Sequence, residues 1–360
     1  MKIMHCEDNR AEQHRVFVQT KDGKFKYELF MDYAKGLPQE LELVPVLGNV
    51  SGGCVDKDDN LYFGLRAGGG PVKSPNCLIK LDPDGNFLGT FGAGKLGHLH
   101  FFECTDHGTM VILQTNDHYA IEVSLETGEV VRTFGEKGKG SDCGRGTFCY
   151  EKYRLHNGIF PTEPFEGLNP VDGFALMMDH KNARLAEPFN LPTDVDFDSQ
   201  GNYYFSDGYA NMAVHKFDKD GNLVKTWGGP GVYDGETDTP GKFLLVHSLC
   251  VDARDHIWVC DREKDAVHVF DTEGNVLAYC SHNMGQPSGV DCDGEYIYVA
   301  GRGGYITIFD LDFNIVGQLG YFNGNLRAHH IAVDSKSNLY LFPTKANYEH
   351  QVIALKRIRD

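Results

Sequence analysis

Three histidines, His100, His247 and His329, occupy the same place in three copies of a recurring pattern, each ahead of an apolar run and an Asp-containing turn. The chain has 16 histidines, and most single ones, such as His118, His215, His268 and His282, read as satisfied core or surface residues. Matched positions carry more information. Aligned on the apolar run, the copies fill one slot with Ser51, His100, Thr193, His247, Ser288 and His329, so histidine recurs in every second unit. If six units close into a ring, alternate units are related by an approximate three-fold axis and the three imidazoles converge. Three imidazoles with a fourth position open are the arrangement a hydrolytic or lyase zinc requires. His98 and His330 lie beside two of these positions, and either is an alternative ligand to its neighbour.

A second equivalent slot falls where each unit leaves its second apolar run. It holds Arg66, Thr115, Gly208 followed by Tyr209, Arg262, Arg302 and Thr344. Three arginines beside a metal cation are costly unless an anion neutralises them, and the planar guanidinium matches a carboxylate. The expected ligand is a small carboxylate. Salt bridges are the competing reading; for Arg262 the partner would be Asp261 or Glu263. Tyr209 is the candidate base. A phenol titrates near about 10 in water, and a metal ion and Arg262 would favour its charged form. Its other reading is an aromatic that fills the mouth of the ring.

The elements that must position these side chains are strands. From Val246 to Val276 the sequence reads VHSLCVDARDHIWVCDREKDAVHVFDTEGNV, short apolar runs punctuated by Asp, Gly and Asn, the pattern of antiparallel strands joined by tight turns. Related stretches run from Val50 to Gly92, Leu99 to Gly135, Pro192 to Gly228, Pro287 to Gly320 and Ala328 to Arg357. Repeats of about 40 residues with four strands each predict β-propeller blades. The last copy lacks the D-x-x-G turn and final strand, and the segment from His14 to Phe30 has the missing pattern around Lys21 to Lys24. The expected fold is all-β: a single six-bladed propeller over residues 1–360, its last blade closed by an N-terminal strand, which leaves no open sheet edge between first and last blades. Glu136 to Phe189 interrupts the repeats, and an insertion of this length in a compact fold is expected to act as a lid or an oligomer contact.

A net charge of −17 over 360 residues excludes nonspecific nucleic-acid or anionic-membrane binding, which needs basic patches. No apolar run approaches a membrane span, and the start MKIMHCEDNR has no signal-peptide core, so a soluble cytoplasmic protein is the expectation. The ten cysteines form no CxxC pair, and several, such as Cys250 and Cys292, hold apolar strand positions, where reduced buried thiols are expected. Cys143 and Cys149, in a Gly-rich stretch, are the pair to check for bonding.

The runs PTDVDFDSQGNYYFSDGYAN, VHSLCVDARDHIWVCDRE and AHHIAVD resemble the catalytic core of the peptidyl-α-hydroxyglycine α-amidating lyase family, a six-bladed propeller of the NHL-repeat type. The SDGY, HSL and DRE runs are its more specific elements; NHL-type repeats also occur in pure binding modules. The resemblance implies zinc on His100, His247 and His329, Tyr209 as base supported by Arg262, and Arg66 on the substrate carboxylate; the slot reading adds Arg302 as a second substrate-binding arginine. It implies cleavage of a carbinolamide N–C bond to an amide and glyoxylate. His330 stands where the family has a calcium-binding aspartate, which argues against a structural calcium, and Ala210 stands where the family has a cysteine, which argues against its disulfides. The run LGHLHFFECTD departs from the family's proline-histidine-glycine around the first ligand.

The function expected is a lyase, dependent on zinc or another divalent metal, that cleaves a C–N or C–O bond of a small α-hydroxy-substituted carboxylate. Two alternatives compete. A propeller lactonase or related hydrolase would ordinarily hold calcium on Glu, Asn and Asp, whereas three histidines suit zinc. A non-catalytic NHL-type interaction module would hold no metal.

Overall fold

The computed structural model describes residues 1–5, 17–38, 41, 50–65, 76–92, 95–144, 183–231, 237–320, 324, 326–343 and 352–359. Their strands form six separate sheets. Blade 1 comprises β4 (Val50–Val55), β5 (Leu61–Leu65), β6 (Cys77–Leu81) and β7 (Phe87–Phe91). Blade 2 comprises β8 (Leu99–Cys104), β9 (Thr109–Gln114), β10 (Tyr119–Ser124) and β11 (Val130–Gly135), and blade 3 comprises β12 (Asp194–Phe197), β13 (Tyr203–Asp207), β14 (Ala213–Phe217) and β15 (Leu223–Gly228). Blade 4 comprises β16 (Val246–Val251), β17 (Ile257–Asp261), β18 (Ala266–Phe270) and β19 (Val276–Ser281). Blade 5 is β20 (Pro287–Cys292), β21 (Tyr296–Gly301), β22 (Tyr305–Asp310) and β23 (Ile315–Gly320).

Blade 6 takes only β24 (His330–Val333), β25 (Leu339–Phe342) and β26 (Ile353–Ile358) from the C-terminal part. Its sheet is completed by β3 (Lys26–Phe30), antiparallel to β26, and then by β2 (Phe17–Gln19). The predicted closure by the N-terminal segment is therefore present, with one more strand than expected. A further N-terminal strand, β1 (Lys2–His5), pairs in parallel with β19 on the outer edge of blade 4. The innermost strands β4, β8, β12, β16, β20 and β24 touch in a closed cycle, so the six sheets form a ring.

The recurring aspartates explain the hairpins. Asp198 Oδ1 accepts the backbone N–H groups of Gln200 and Asn202, both at 2.9 Å, and Asp252 Oδ1 does the same for Arg254 and His256 at 2.8 and 3.0 Å. Such side-chain turns offer the backbone a local partner and fix the reversal. The second oxygen then satisfies a buried aromatic on the following strand: Tyr204 and Trp258 donate to Asp198 and Asp252 at 2.9 Å, and Tyr340 donates to Asp334 at 2.9 Å. The core lies in wedges between neighbouring blades, for example Leu99, Phe102 and Ile112 against Cys54 and Leu78, and Val214 and Phe243 against Val259 and Phe270. Among the described residues no helix is long and apolar enough to cross a membrane.

Candidate metal centre and its surroundings

In blades 1, 2, 4 and 5 the histidine slot falls at a β-bulge. Pairing shifts register between Leu99 and Phe102 and between Val246 and Ser248, with His100 and His247 at the irregularities, and Ser51 and Ser288 fall at the same shifts in blades 1 and 5. A bulge bends the strand and re-aims a side chain. Here it turns the imidazoles onto the ring axis, and His329 reaches the same level from just ahead of β24.

His100, His247 and His329 are all buried, and their ligand atoms lie within 4.8 Å of one another. Each Nδ1 meets the backbone carbonyl of the slot residue in the next blade: Thr193 for His100 at 2.7 Å, Ser288 for His247 at 2.6 Å and Ser51 for His329 at 2.6 Å. A carbonyl can only accept, so each Nδ1 carries the proton and each Nε2 presents a lone pair toward the axis. This outer-shell pattern fixes the tautomer of metal-binding histidines. Burial, together with the Arg262 cation and the other two imidazoles, holds the His247 pKa well below its ordinary value, so that ring is neutral. The donor set is chemically that of a metal ion, and the three residues could hold one.

Tyr209 lies against this centre, its hydroxyl 2.9 Å from His100 Nε2 and 3.1 Å from His247 Nε2. Gly208 makes the approach: a Cβ there would sit 1.5 Å from the Val246 carbonyl oxygen, so only glycine lets the turn after β13 press onto blade 4. Arg262 begins the short 3-10 turn Arg262–Lys264 after β17 and donates its backbone N–H to the Leu245 carbonyl at 3.1 Å. Its guanidinium lies 5.9 Å from the centre of the Tyr209 ring, and its Nε donates to Glu263 Oε1 at 2.8 Å. The guanidinium is thus ion-paired with Glu263, as the competing sequence reading had it, and also lies beside the Tyr209 ring. Burial alone would lower its pKa, but Glu263 and Tyr209 outweigh that and hold it above the ordinary value. Arg302 keeps a solvent-accessible side chain, yet the surrounding walls and the Arg262 cation lower its pKa. Arg66 and Thr344 fall outside the described residues, as do residues 145–182 of the insertion and Cys149.

The two neighbouring histidines do not join the cluster. His330 points one layer deeper, its Nδ1 3.1 Å from the Gly53 carbonyl and its Nε2 3.6 Å from Asp194 Oδ2, and His98 is outside the group of converging ligand atoms. The four histidines read as structural are hydrogen-bonded: His118 to Leu191, His215 to Thr226 and Asp207, His268 to Gly241, and His282 to Ser281.

Sequence reasoning did not single out Phe101. Its ring is fully buried, 4.0 Å from His100, 5.3 Å from His247 and 5.0 Å from His329, with His330 against it at 3.9 Å. It forms the floor of the centre, and Gly52 leaves the room: a Cβ there would come within 2.6 Å of the Phe101 ring. The signal was the position after each histidine slot, which holds Gly52, Phe101, Asp194, Ser248, Gly289 and His330.

At the turn end of the innermost strands lies a second feature, a cavity of about 730 Å³ lined by Glu103, Asp106, Asp196, Asp252 and Asp291 among others. None of the predicted site residues among the described ones lines it. Burial, then the neighbouring carboxylates, pushes Glu103 and Asp291 well above the usual carboxylate range; Asp196 is raised to about 7 by burial and by Asp194 and Asp106.

No protein-family model matches the chain. Among curated proteins it is 37% identical over 87 residues to peptidylglycine alpha-amidating monooxygenase of Rattus norvegicus, covering 24% of this chain and 9% of that one. The Mus musculus peptidyl-glycine alpha-amidating monooxygenase is 34% identical over 130 residues, 36% of this chain and 13% of that protein. A probable peptidyl-alpha-hydroxyglycine alpha-amidating lyase of Caenorhabditis elegans is 34% identical over 83 residues, 23% of each chain. The chain thus matches less than a quarter of the length of each of these relatives, and they are of the kind its SDGY, HSL and DRE runs resemble. Among solved structures, virginiamycin B lyase from Staphylococcus aureus superposes with a TM-score of 0.55 at 10% identity, over 93% of this chain and 100% of that one, which shows a shared propeller fold.

Proposed function

We propose that this propeller is a zinc-dependent lyase that cleaves the C–N bond of a small α-hydroxy-substituted carboxylate, in the manner its amidating-lyase relatives' names suggest. The observation that carries the reading is the placement of the Tyr209 hydroxyl within 2.9 and 3.1 Å of two of three converging imidazole nitrogens. The Nε2 atoms of His100, His247 and His329 would hold the metal, which when bound supplies a Lewis acid for the substrate's hydroxyl oxygen. The carbonyls of Thr193, Ser288 and Ser51 keep those nitrogens aimed at the axis.

Tyr209, as its tyrosinate, takes the proton of that hydroxyl, and the Arg262 guanidinium beside the ring offsets the negative charge of the phenolate until the proton arrives. The C–O bond becomes a carbonyl as the C–N bond breaks, and the amide nitrogen leaves with the electron pair and takes up the proton held by Tyr209, which returns the phenol to its starting form. The products are an amide and an α-keto or aldehyde acid; for an N-acyl-α-hydroxyglycine the second is glyoxylate. Arg302, within reach of the Arg262, Glu263 and Tyr209 charges, would meet the substrate carboxylate, with Arg66 as its expected companion. Phe101 closes the floor, so substrate enters from the arginine side. Purified protein incubated with simple N-acyl-α-hydroxyglycines should release glyoxylate and amide in equal amounts. Ester hydrolysis without glyoxylate release would favour a hydrolase, and no turnover with no bound metal would favour an interaction module.

A further inference from the structure

Beneath the Phe101 floor the innermost strands bring cysteines of different blades together. Cys54, near the end of β4 in blade 1, and Cys104, the last residue of β8 in blade 2, have sulfurs 3.2 Å apart and are not bonded. Cys250 and Cys292 repeat the arrangement at the same positions of blades 4 and 5, their side chains again partners. A disulfide needs its sulfurs at about 2.05 Å, so closure asks about 1.2 Å of relative movement. The two thiols of the first pair differ in access. Cys54 is 1% exposed, whereas Cys104 is partly exposed and lines the 730 Å³ cavity.

We infer that Cys54 and Cys104 are a dithiol modification site, at which a small cationic disulfide entering the acidic cavity is reduced while the pair closes into a cross-link between blades 1 and 2. Cys104, the accessible thiol, attacks the incoming disulfide as its thiolate, forms a mixed disulfide and releases one small thiol. Cys54 then loses its proton and attacks the Cys104 sulfur, releasing the second. Two protein thiols and one small disulfide give one protein disulfide and two small thiols. Burial, reinforced by the Cys104 thiol and by Glu103, raises the Cys54 pKa, which suits it to the second step and not the first. The charge of the reagent follows from the walls: Asp56, Asp59, Asp106, Asp198, Asp252 and Asp255 line the cavity, against Lys57 and His107. Such a field draws cations and repels anions, and salt weakens it.

The test uses the native full-length chain, treated with cystamine or with oxidised glutathione, quenched with N-ethylmaleimide, digested without reduction and analysed by peptide mass. Cystamine should join the Cys54 and Cys104 peptides at least about tenfold faster than oxidised glutathione at low salt, with the gap narrowing as salt rises. Cys54→Ser should stop at a stable cystamine adduct on Cys104, and Cys104→Ser should leave Cys54 unmodified. Maleimide on both cysteines of the treated wild-type protein, a Cys104 adduct that persists in it without closing, or cross-linking seen only in urea would each overturn the assignment.

Discussion

The two ends of the propeller axis are built from the same six strands and carry opposite chemistry. At the start of those strands, bulges turn His100 and His247 inward and His329 joins them from just ahead of β24, backbone carbonyls hold their protons on the outer nitrogens, and Tyr209 and Arg262 close over them. At their other end Glu103, Asp196 and Asp291 face a cavity and are raised above the ordinary carboxylate range by burial. One layer of Phe101 and His330 separates the two. A repeat fold thus sets positions on the axis, and the residue at each position decides whether that layer can bind a metal, plug the channel or store protons.

The largest effect expected at the upper end is loss of turnover in Tyr209→Phe, by about 10²–10⁴-fold if the phenol moves a proton. Metal content should not change in that variant. If metal is lost with activity, Tyr209 belongs to the metal-holding set and the separation of roles is wrong. Phe101→Ala removes the partition, and truncating a buried phenylalanine costs about 3–5 kcal/mol. Its urea midpoint should fall well below wild type. An unchanged midpoint would mean that the ring contributes little to the packing of the axis.

The smallest effect belongs to the lower end. A carboxyl whose folded pKa is raised binds more protons in the folded state than in the unfolded chain, so its contribution is fully present at low pH and is lost as pH rises through the folded value. For Asp196 that window runs from 3.8 up to about 7, and Glu103 and Asp291 are displaced in the same direction. The neutral His247 acts oppositely, costing stability as pH falls below 6.5. From pH 6.5 up through the Asp196 value of about 7 the carboxylates therefore dominate, and the urea midpoint should fall with rising pH. Glu103→Gln keeps an amide oxygen for the Cys104 N–H, which donates to it at 3.0 Å, and should flatten that decline while leaving turnover unchanged. A decline of the same size in the variant would remove Glu103 from the explanation.

The ring itself was legible because its Asp turns and apolar runs recur, and because the incomplete last copy and the pattern before Phe30 complement each other. Three histidines on alternate copies announced their own convergence. The parallel β1–β19 pairing was not legible, since a four-residue edge strand carries no turn signature and no burial alternation to place it. Phe101 looked like one more core aromatic; its place on the axis depends on the bulge at His100, which the sequence does not encode by spacing. Cys54 and Cys104 meet with an offset of one residue between neighbouring blades, so aligning like with like hides the pair.

The central claim is that three imidazoles form a metal centre, and elemental analysis of the tag-free protein beside its His247→Ala variant tests it most directly. The account predicts close to one zinc per wild-type chain and none in the variant, with the fold of the variant intact by circular dichroism. Wild-type protein that holds no metal and takes up none from added zinc would contradict it.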